Sequence, residues 1–114
     1  MRVMVTGGRY FDNATRVFQA LDAIHYHRGP ITALIEGGAT GADKLARGWA
    51  LKNDVPVVTY RADWSRGRRA GPERNQLMVA DARADLMLAF QGGLGTADAI
   101  RRAQRAELEV LEIE

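Results

Sequence analysis

Three times in 114 residues a short apolar run stops at a glycine-rich turn and gives way to apolar residues at helical spacing. Val3 to Val5 leads into Thr6-Gly7-Gly8-Arg9, Ile31 to Ile35 into Glu36-Gly37-Gly38-Ala39-Thr40-Gly41-Ala42-Asp43, and Leu86 to Phe90 into Gly92-Gly93-Leu94-Gly95-Thr96. After the second turn, Leu45, Ala46, Trp49 and Ala50 recur as one face of a helix. A strand that enters a helix through such a turn is half of a βαβ unit. Strands alternating with helices imply a parallel sheet covered on both faces.

The rest of the chain fits that frame. Asp12 or Asn13 suits the cap of a helix whose apolar face is Ala14, Val17, Phe18, Leu21 and Ile24, and Gly29-Pro30 ends it. The helix from Gly41 is expected to end near Asn53. Val55 to Tyr60 reads as a third strand, followed by a polar loop from Arg61 to Gly71 that holds Arg61, Arg66, Arg68 and Arg69. Pro72 suits the first turn of a third helix anchored by Leu77, Met78 and Ala82. Asp85 to Phe90 is the fourth strand. A helix from Thr96 with core contacts Ala97, Ile100 and Ala103 follows, then a fifth strand from Leu108 to Ile113. The expected fold is therefore α/β: a Rossmann-like three-layer sandwich, one domain over residues 1–114, with a five-stranded parallel sheet in the order 3-2-1-4-5.

In that order the strand sequence reverses between the first and fourth strands, where open α/β sheets bind ligands. The turns at Gly7-Gly8 and Gly92-Gly93 would face each other there, with Glu36 and Gly37 beside them. Glycines at Gly37, Gly38 and Gly41 permit positive φ and let a ligand approach the backbone. Helix starts offer free N–H groups to an anion. A phosphate-bearing ligand is the natural occupant. The turns match neither the Walker pattern nor the usual dinucleotide fingerprint.

Composition bounds the alternatives. No apolar run approaches the ~20 residues of a membrane span. No signal peptide is expected ahead of the first strand, which begins at Arg2 or Val3, and the lack of cysteine fits the expected cytoplasmic location. With no cysteine, disulfides and thiolate chemistry are excluded. His25 and His27 are two apart and do not share a helical face, so no metal site is expected. The net charge of +2 does not by itself argue for nucleic acid.

Several segments together resemble a known family. Gly92-Gly93-Leu94-Gly95-Thr96 resembles the phosphate-binding motif of the SLOG superfamily, which includes the Lonely-guy phosphoribohydrolases and DprA. Further segments are similar to its small YspA-like, cpYpsA-related branch: Gly7-Gly8-Arg9, Glu36 to Ala39, Gly41-Ala42-Asp43, Trp49-Ala50, Trp64, and Ala70-Gly71-Pro72 with Arg74, Asn75 and Met78. The resemblance covers about residues 3 to 100. It implies a Rossmann-like fold, a nucleotide-derived ligand, no required cofactor and commonly a homodimer.

On this reading Gly7, Gly8, Gly37, Gly38, Gly41, Gly92, Gly93, Gly95 and Thr96 form the ligand's cradle. Arg9, Arg74 and Asn75 would hold phosphate. Glu36, which ends a central strand, would read a sugar, and Asp43 either contacts the ligand or serves its own helix start. If the protein is an enzyme, the expected reaction is hydrolysis of the N-glycosidic bond of a nucleoside monophosphate, with Glu36, Arg74 and Asp98 as catalytic candidates. Against it, the Lonely-guy pattern has a glutamate three residues after the threonine of the glycine turn, and Ala99 stands there in this chain. A third possibility is single-stranded nucleic acid on Arg61 to Arg74, with Trp64 stacking on a base or anchoring the loop.

Overall fold

The computed structural model describes residues 1–114. In chain order the elements are β1 (Arg2–Thr6), α1 (Ala14–His27), β2 (Ala33–Glu36), α2 (Ala42–Lys52), β3 (Val57–Thr59), a 3-10 turn (Trp64–Arg69), α3 (Ala70–Asp81), β4 (Leu86–Ala89), α4 (Leu94–Arg105) and β5 (Val110–Glu112). The strands form one sheet in the order β3-β2-β1-β4-β5, every neighbouring pair parallel. The expected order and class both hold. In the register, Val3 of β1 lies between Leu34 of β2 and Leu86 of β4.

The central strands are apolar at successive positions because helices cover both sheet faces. The pleat sends alternate side chains to opposite layers. Val3 and Val5 join Leu34, Leu86 and Leu88 against α1 and α2, where Val17, Leu21 and Trp49 are fully buried. Met4, Ile35 and Met87 pack the other way, against Met78 and Ala82 of α3 and its end and against Ala99 and Ala103 of α4. Trp49 is the largest side chain of the first layer, and its indole N–H donates to Asp22 Oδ1 at 2.8 Å.

Local signals act largely as the sequence suggests. Asn13 caps α1, its Oδ1 accepting the Arg16 amide at 3.0 Å. At the other end the Arg28 and Gly29 amides both donate to the Ile24 carbonyl. Three expectations need correction. Leu77 does not anchor α3: it is 56% exposed, and Met78 and Ala82 carry the contact. Helix α4 begins at Leu94 rather than Thr96, which puts Thr96, Ala99 and Ala103 on its buried face and leaves Ala97 half-buried. The segment between β3 and α3 is not an open loop. Residues Trp64–Arg69 wind into a 3-10 turn kinked at Gly67 (φ 74°), and α3 starts two residues before Pro72.

Candidate functional site

The turns after β1, β2 and β4 and the 3-10 turn after β3 surround one cavity of about 1140 Å³ at the carboxyl ends of the strands. Gly7, Gly8, Arg9, Gly37, Gly38, Asp43, Arg74, Asn75, Gly92, Gly93, Gly95 and Thr96 all line it. Glu36, Gly41 and Asp98 do not. The three glycine turns thus meet, but each does something different.

The turn after β1 is a spacer held to its neighbours. The Gly8 amide donates to Gln91 O at 2.9 Å, and Gly8 O accepts from Phe11 and from Ala42, the first residue of α2. Gly41 stands at φ 70° with the backbone of Gly8 and Arg9 directly against its Cα, so a Cβ there would collide with both. Gly41 is therefore a packing residue rather than a wall of the cradle. Thr40 closes the same junction, its hydroxyl donating to Arg9 O at 3.0 Å.

The turn after β2 is filled by the chain's own acids. Asp43 Oδ2 accepts both the Gly37 amide (3.1 Å) and the Ala39 amide (3.3 Å). Glu36 Oε1 accepts the Gly38 amide at 2.8 Å and the Arg47 guanidinium, while Oε2 accepts the Thr59 hydroxyl. Glu36 is fully buried. A sugar-reading carboxylate must face the ligand, whereas Glu36 faces Arg47 and Thr59 beneath the turn. Two carboxylates do line the cavity: Asp12, exposed at its rim, and Asp43, 5% exposed. Burial, and after it the neighbouring charge of Glu36, pushes Asp43 up to about 6, against the downward pull of its two backbone hydrogen bonds and of Arg74.

The turn after β4 is open. Gly93 caps α4 with no side-chain hydrogen bond, and the first helical bond runs from the Ala97 amide to Gly93 O at 3.0 Å. The amides of Leu94, Gly95 and Thr96 have no acceptor within the chain. A Cβ on Gly93 or Gly95 would meet nothing within 4 Å, and Gly93, Leu94 and Gly95 are exposed on the cavity. Gly92 is the opposite case: a Cβ there would meet the Gly8 amide at 2.7 Å and the Thr96 Cβ at 2.8 Å. The amides of Gly7 and Arg9 after β1 and of Thr40 after β2 are likewise unbonded, but only here are the glycines exposed: Gly92, Gly93 and Gly95 stand open, whereas Gly7, Gly8 and Gly38 are half-buried and Gly37 is buried.

Arg74 stands across from it on the first turns of α3. Its Nη1 donates to Gly37 O at 2.7 Å and its Nε to Asn75 Oδ1 at 2.9 Å, which leaves the Nη2 edge uncommitted. Asn75 is nearly buried and ties α3 to α4, its Nδ2 donating to Gly95 O and to Asp98 Oδ2. Asp98 also receives Arg102 Nε at 2.9 Å. Burial works to raise Asp98, but the hydrogen bonds from Arg102 and Asn75 outweigh it and hold the carboxyl below its ordinary range. As a catalytic carboxylate Asp98 is misplaced: it is off the cavity and committed to a helix-to-helix lock. Ala99, where the Lonely-guy pattern has glutamate, is fully buried on the face of α4 that packs against the sheet.

The basic loop is also partly spent. Arg66 pairs with Glu73 through Nε at 2.7 Å, and Arg69 approaches the same carboxylate at 3.5 Å. Arg61 reaches Gly38 O at 3.5 Å. Arg9 is exposed at the cavity rim. His25 accepts the Ile31 amide on Nδ1 at 3.0 Å, a structural use. Sequence reasoning missed Arg47, the counter-ion of Glu36, although its place four residues after Asp43 on α2 was visible. It also missed Tyr10 and Leu94 at the cavity mouth, whose only sequence signal is their place in glycine-rich turns after strands, Tyr10 two residues after Gly8 and Leu94 between Gly93 and Gly95.

A parallel sheet in this order, with a glycine-lined crevice opening where the strand order reverses, defines a Rossmann-like α/β protein. The chain belongs to the YAcAr family, the YspA, cpYpsA-related SLOG family, whose model matches residues 1–67. It is 41% identical over 119 residues to the Gene 61 protein of Mycobacterium phage D29, covering 96% of this chain and 94% of that protein. Among solved structures it is similar to DNA processing protein A (DprA) from Streptococcus pneumoniae, with a TM-score of 0.78 over 97% of this chain and 14% identity. The chain spans about half of that structure (49%), and the likeness is one of fold. No helix is long and apolar enough to cross a membrane.

Proposed function

We propose that the protein binds a phosphorylated, nucleotide-derived small molecule in this cavity, as a sensor or processor. The observation that carries the reading is the start of α4, where three unpaired amides stand under open space. Arg74 is the second anchor, with a guanidinium edge free to form charge-assisted bonds to phosphate. Family membership supports a nucleotide-related ligand. The hydrolase reading loses support at its named candidates: Glu36 is sealed beneath a turn, Asp98 is locked between helices, and Ala99, a core residue, brings no carboxylate. Asp43 and the exposed Asp12 are the carboxyls that line the cavity. The nucleic-acid reading takes support from the name of its structural neighbour, a DNA processing protein, but two arginines of the basic loop already serve Glu73. A homodimer belongs to the same proposal.

The test uses AMP as probe and thermal shift as readout. Gly93→Val puts a branched side chain into the free space above the amides, so it is expected to abolish the AMP-induced shift while changing intrinsic stability by no more than about 1 kcal/mol. Arg74→Ala is expected to weaken AMP by ~1.5–3 kcal/mol and adenosine little. An AMP shift that survives Gly93→Val moves the phosphate site away from α4.

A further inference from the structure

Six large apolar side chains are exposed on this molecule: Tyr10, Tyr26, Leu51, Trp64, Leu77 and Leu94. Three of them, Tyr10 (88% exposed), Trp64 (63%) and Leu94 (91%), line the same cavity. They come from three separate connections, after β1, after β3 and after β4. A single exposed leucine or tyrosine needs no explanation. Three converging from independent segments on the rim of one polar cavity form an apolar border around a phosphate-binding floor.

Trp64 is the member that is held in place. It opens the 3-10 turn, whose start is fixed by Asp63: Oδ1 accepts the Ser65 hydroxyl at 2.6 Å and the Ser65 amide at 3.2 Å. The turn is then clamped to α3, because Arg66 reaches both oxygens of Glu73, at 2.7 and 3.3 Å, and Arg69 approaches the same group. The arginines that suggested a basic binding loop thus fix the backbone that carries the indole. The indole edge lies over Gly71, where an added Cβ would stand 3.6 Å from it. An aromatic ring on a stapled turn loses little freedom when a flat partner stacks on it.

We propose that Trp64 is the platform for the nucleobase of the ligand, stacking on its ring while the phosphate sits on the amides of Leu94, Gly95 and Thr96. The proposal rests on the phosphate-binding reading above and narrows it: the occupant carries a planar aromatic base, and the base lies at the mouth of the cavity. Stacking is tolerant of base identity, since every base offers a π face. Trp64 therefore demands a base without choosing which one.

The two tryptophans make the test direct. Trp49 is fully buried and hydrogen-bonded to Asp22, so a ligand at the cavity mouth alters the emission of Trp64. The experiment titrates the unmodified protein with ribose 5-phosphate and with AMP, GMP, CMP and UMP, following tryptophan emission and heat of binding. Nucleotides are expected to bind at least about ten-fold more tightly than ribose 5-phosphate and to quench emission. Trp64→Ala, a change at an exposed side chain, should bring nucleotides down to the affinity of ribose 5-phosphate, leave ribose 5-phosphate itself unchanged and remove the quenching. Trp64→Phe should restore most of the affinity. Equal binding of AMP and ribose 5-phosphate by the unmodified protein overturns the base platform and leaves the phosphate site standing. So does nucleotide affinity that survives Trp64→Ala. No binding of any phosphorylated probe overturns both readings. Tight binding of oligothymidylate without binding of mononucleotides overturns the small-molecule base site and assigns Trp64 to a nucleic-acid surface.

Discussion

Asp43 shows how one side chain can serve the fold and face the site at once. One carboxyl oxygen organises the β2 turn by accepting two amides, yet the group is nearly buried and lies close to Glu36. Its folded pKa is about 6 against an ordinary 3.8, so the folded state holds the proton more tightly than the unfolded chain. Asp43 therefore contributes stability that is full below about pH 3.8 and is lost as pH rises through about 6. The difference of about 2.2 pH units corresponds to about 3 kcal/mol, an upper bound on the effect. Asp43→Asn keeps an oxygen for both amides and cannot ionise. Urea unfolding at pH 4 and pH 7.5 is expected to show the variant gaining stability relative to the unmodified protein at the higher pH, with much less difference at the lower. A difference that is flat across this range sinks the assignment. The sequence announced an acid in the first turn of a helix but not its environment, because burial and the proximity of Glu36 depend on how β2 and α2 pack.

At the scale of the element, the glycine turns look alike in sequence and differ in the folded protein. Each follows a strand and precedes a helical stretch, and that much was legible, along with the sheet order and the convergence of the turns. Which turn has room for an anion was not legible. It depends on long-range contacts: Gly41 against Gly8 and Arg9, the Gly8 amide on Gln91, and Asp43 reaching back onto Gly37 and Ala39. Adjacent glycines can even have opposite roles. Gly92→Ala forces a methyl group against Thr96 and the Gly8 amide, and overpacking of this kind costs about 1–3 kcal/mol. Gly93→Ala meets nothing. Chemical denaturation should separate the two variants by at least about 1 kcal/mol, Gly92→Ala being the weaker fold. Equal stability would mean that the β1 and β4 turns are not pressed together as described. Helix ends were misread for a similar reason. Leu94 begins α4 because Gly93 caps it through backbone geometry alone, without the polar side chain that a sequence reader looks for.

At the scale of the whole molecule, both layers of helices are legible from apolar spacing, and what escapes is the outward side of each layer. Leu77 fits a core pattern on paper yet projects from α3 beside Pro72 and Ala80, with Arg69, Glu73 and Arg102 around it. An apolar centre ringed by charges of both signs can meet its own copy across a two-fold axis, each cation facing an anion. Sedimentation velocity is expected to give twice the 12.6 kDa chain mass for the unmodified protein and the single-chain mass for Leu77→Glu, with circular dichroism unchanged. A monomer in both cases removes this face as an interface. The open α4 turn and the acid-filled β2 turn have a joint consequence for the kind of molecule the cavity can accept. Both line the same space, one offering exposed amides and the other a single nearly buried carboxyl, Asp43, with the Arg74 guanidinium beside it. On the proposed reading, an anionic end placed at the α4 turn meets backbone amides alone, whereas at the β2 turn it meets the Asp43 carboxyl and the Arg74 guanidinium side by side.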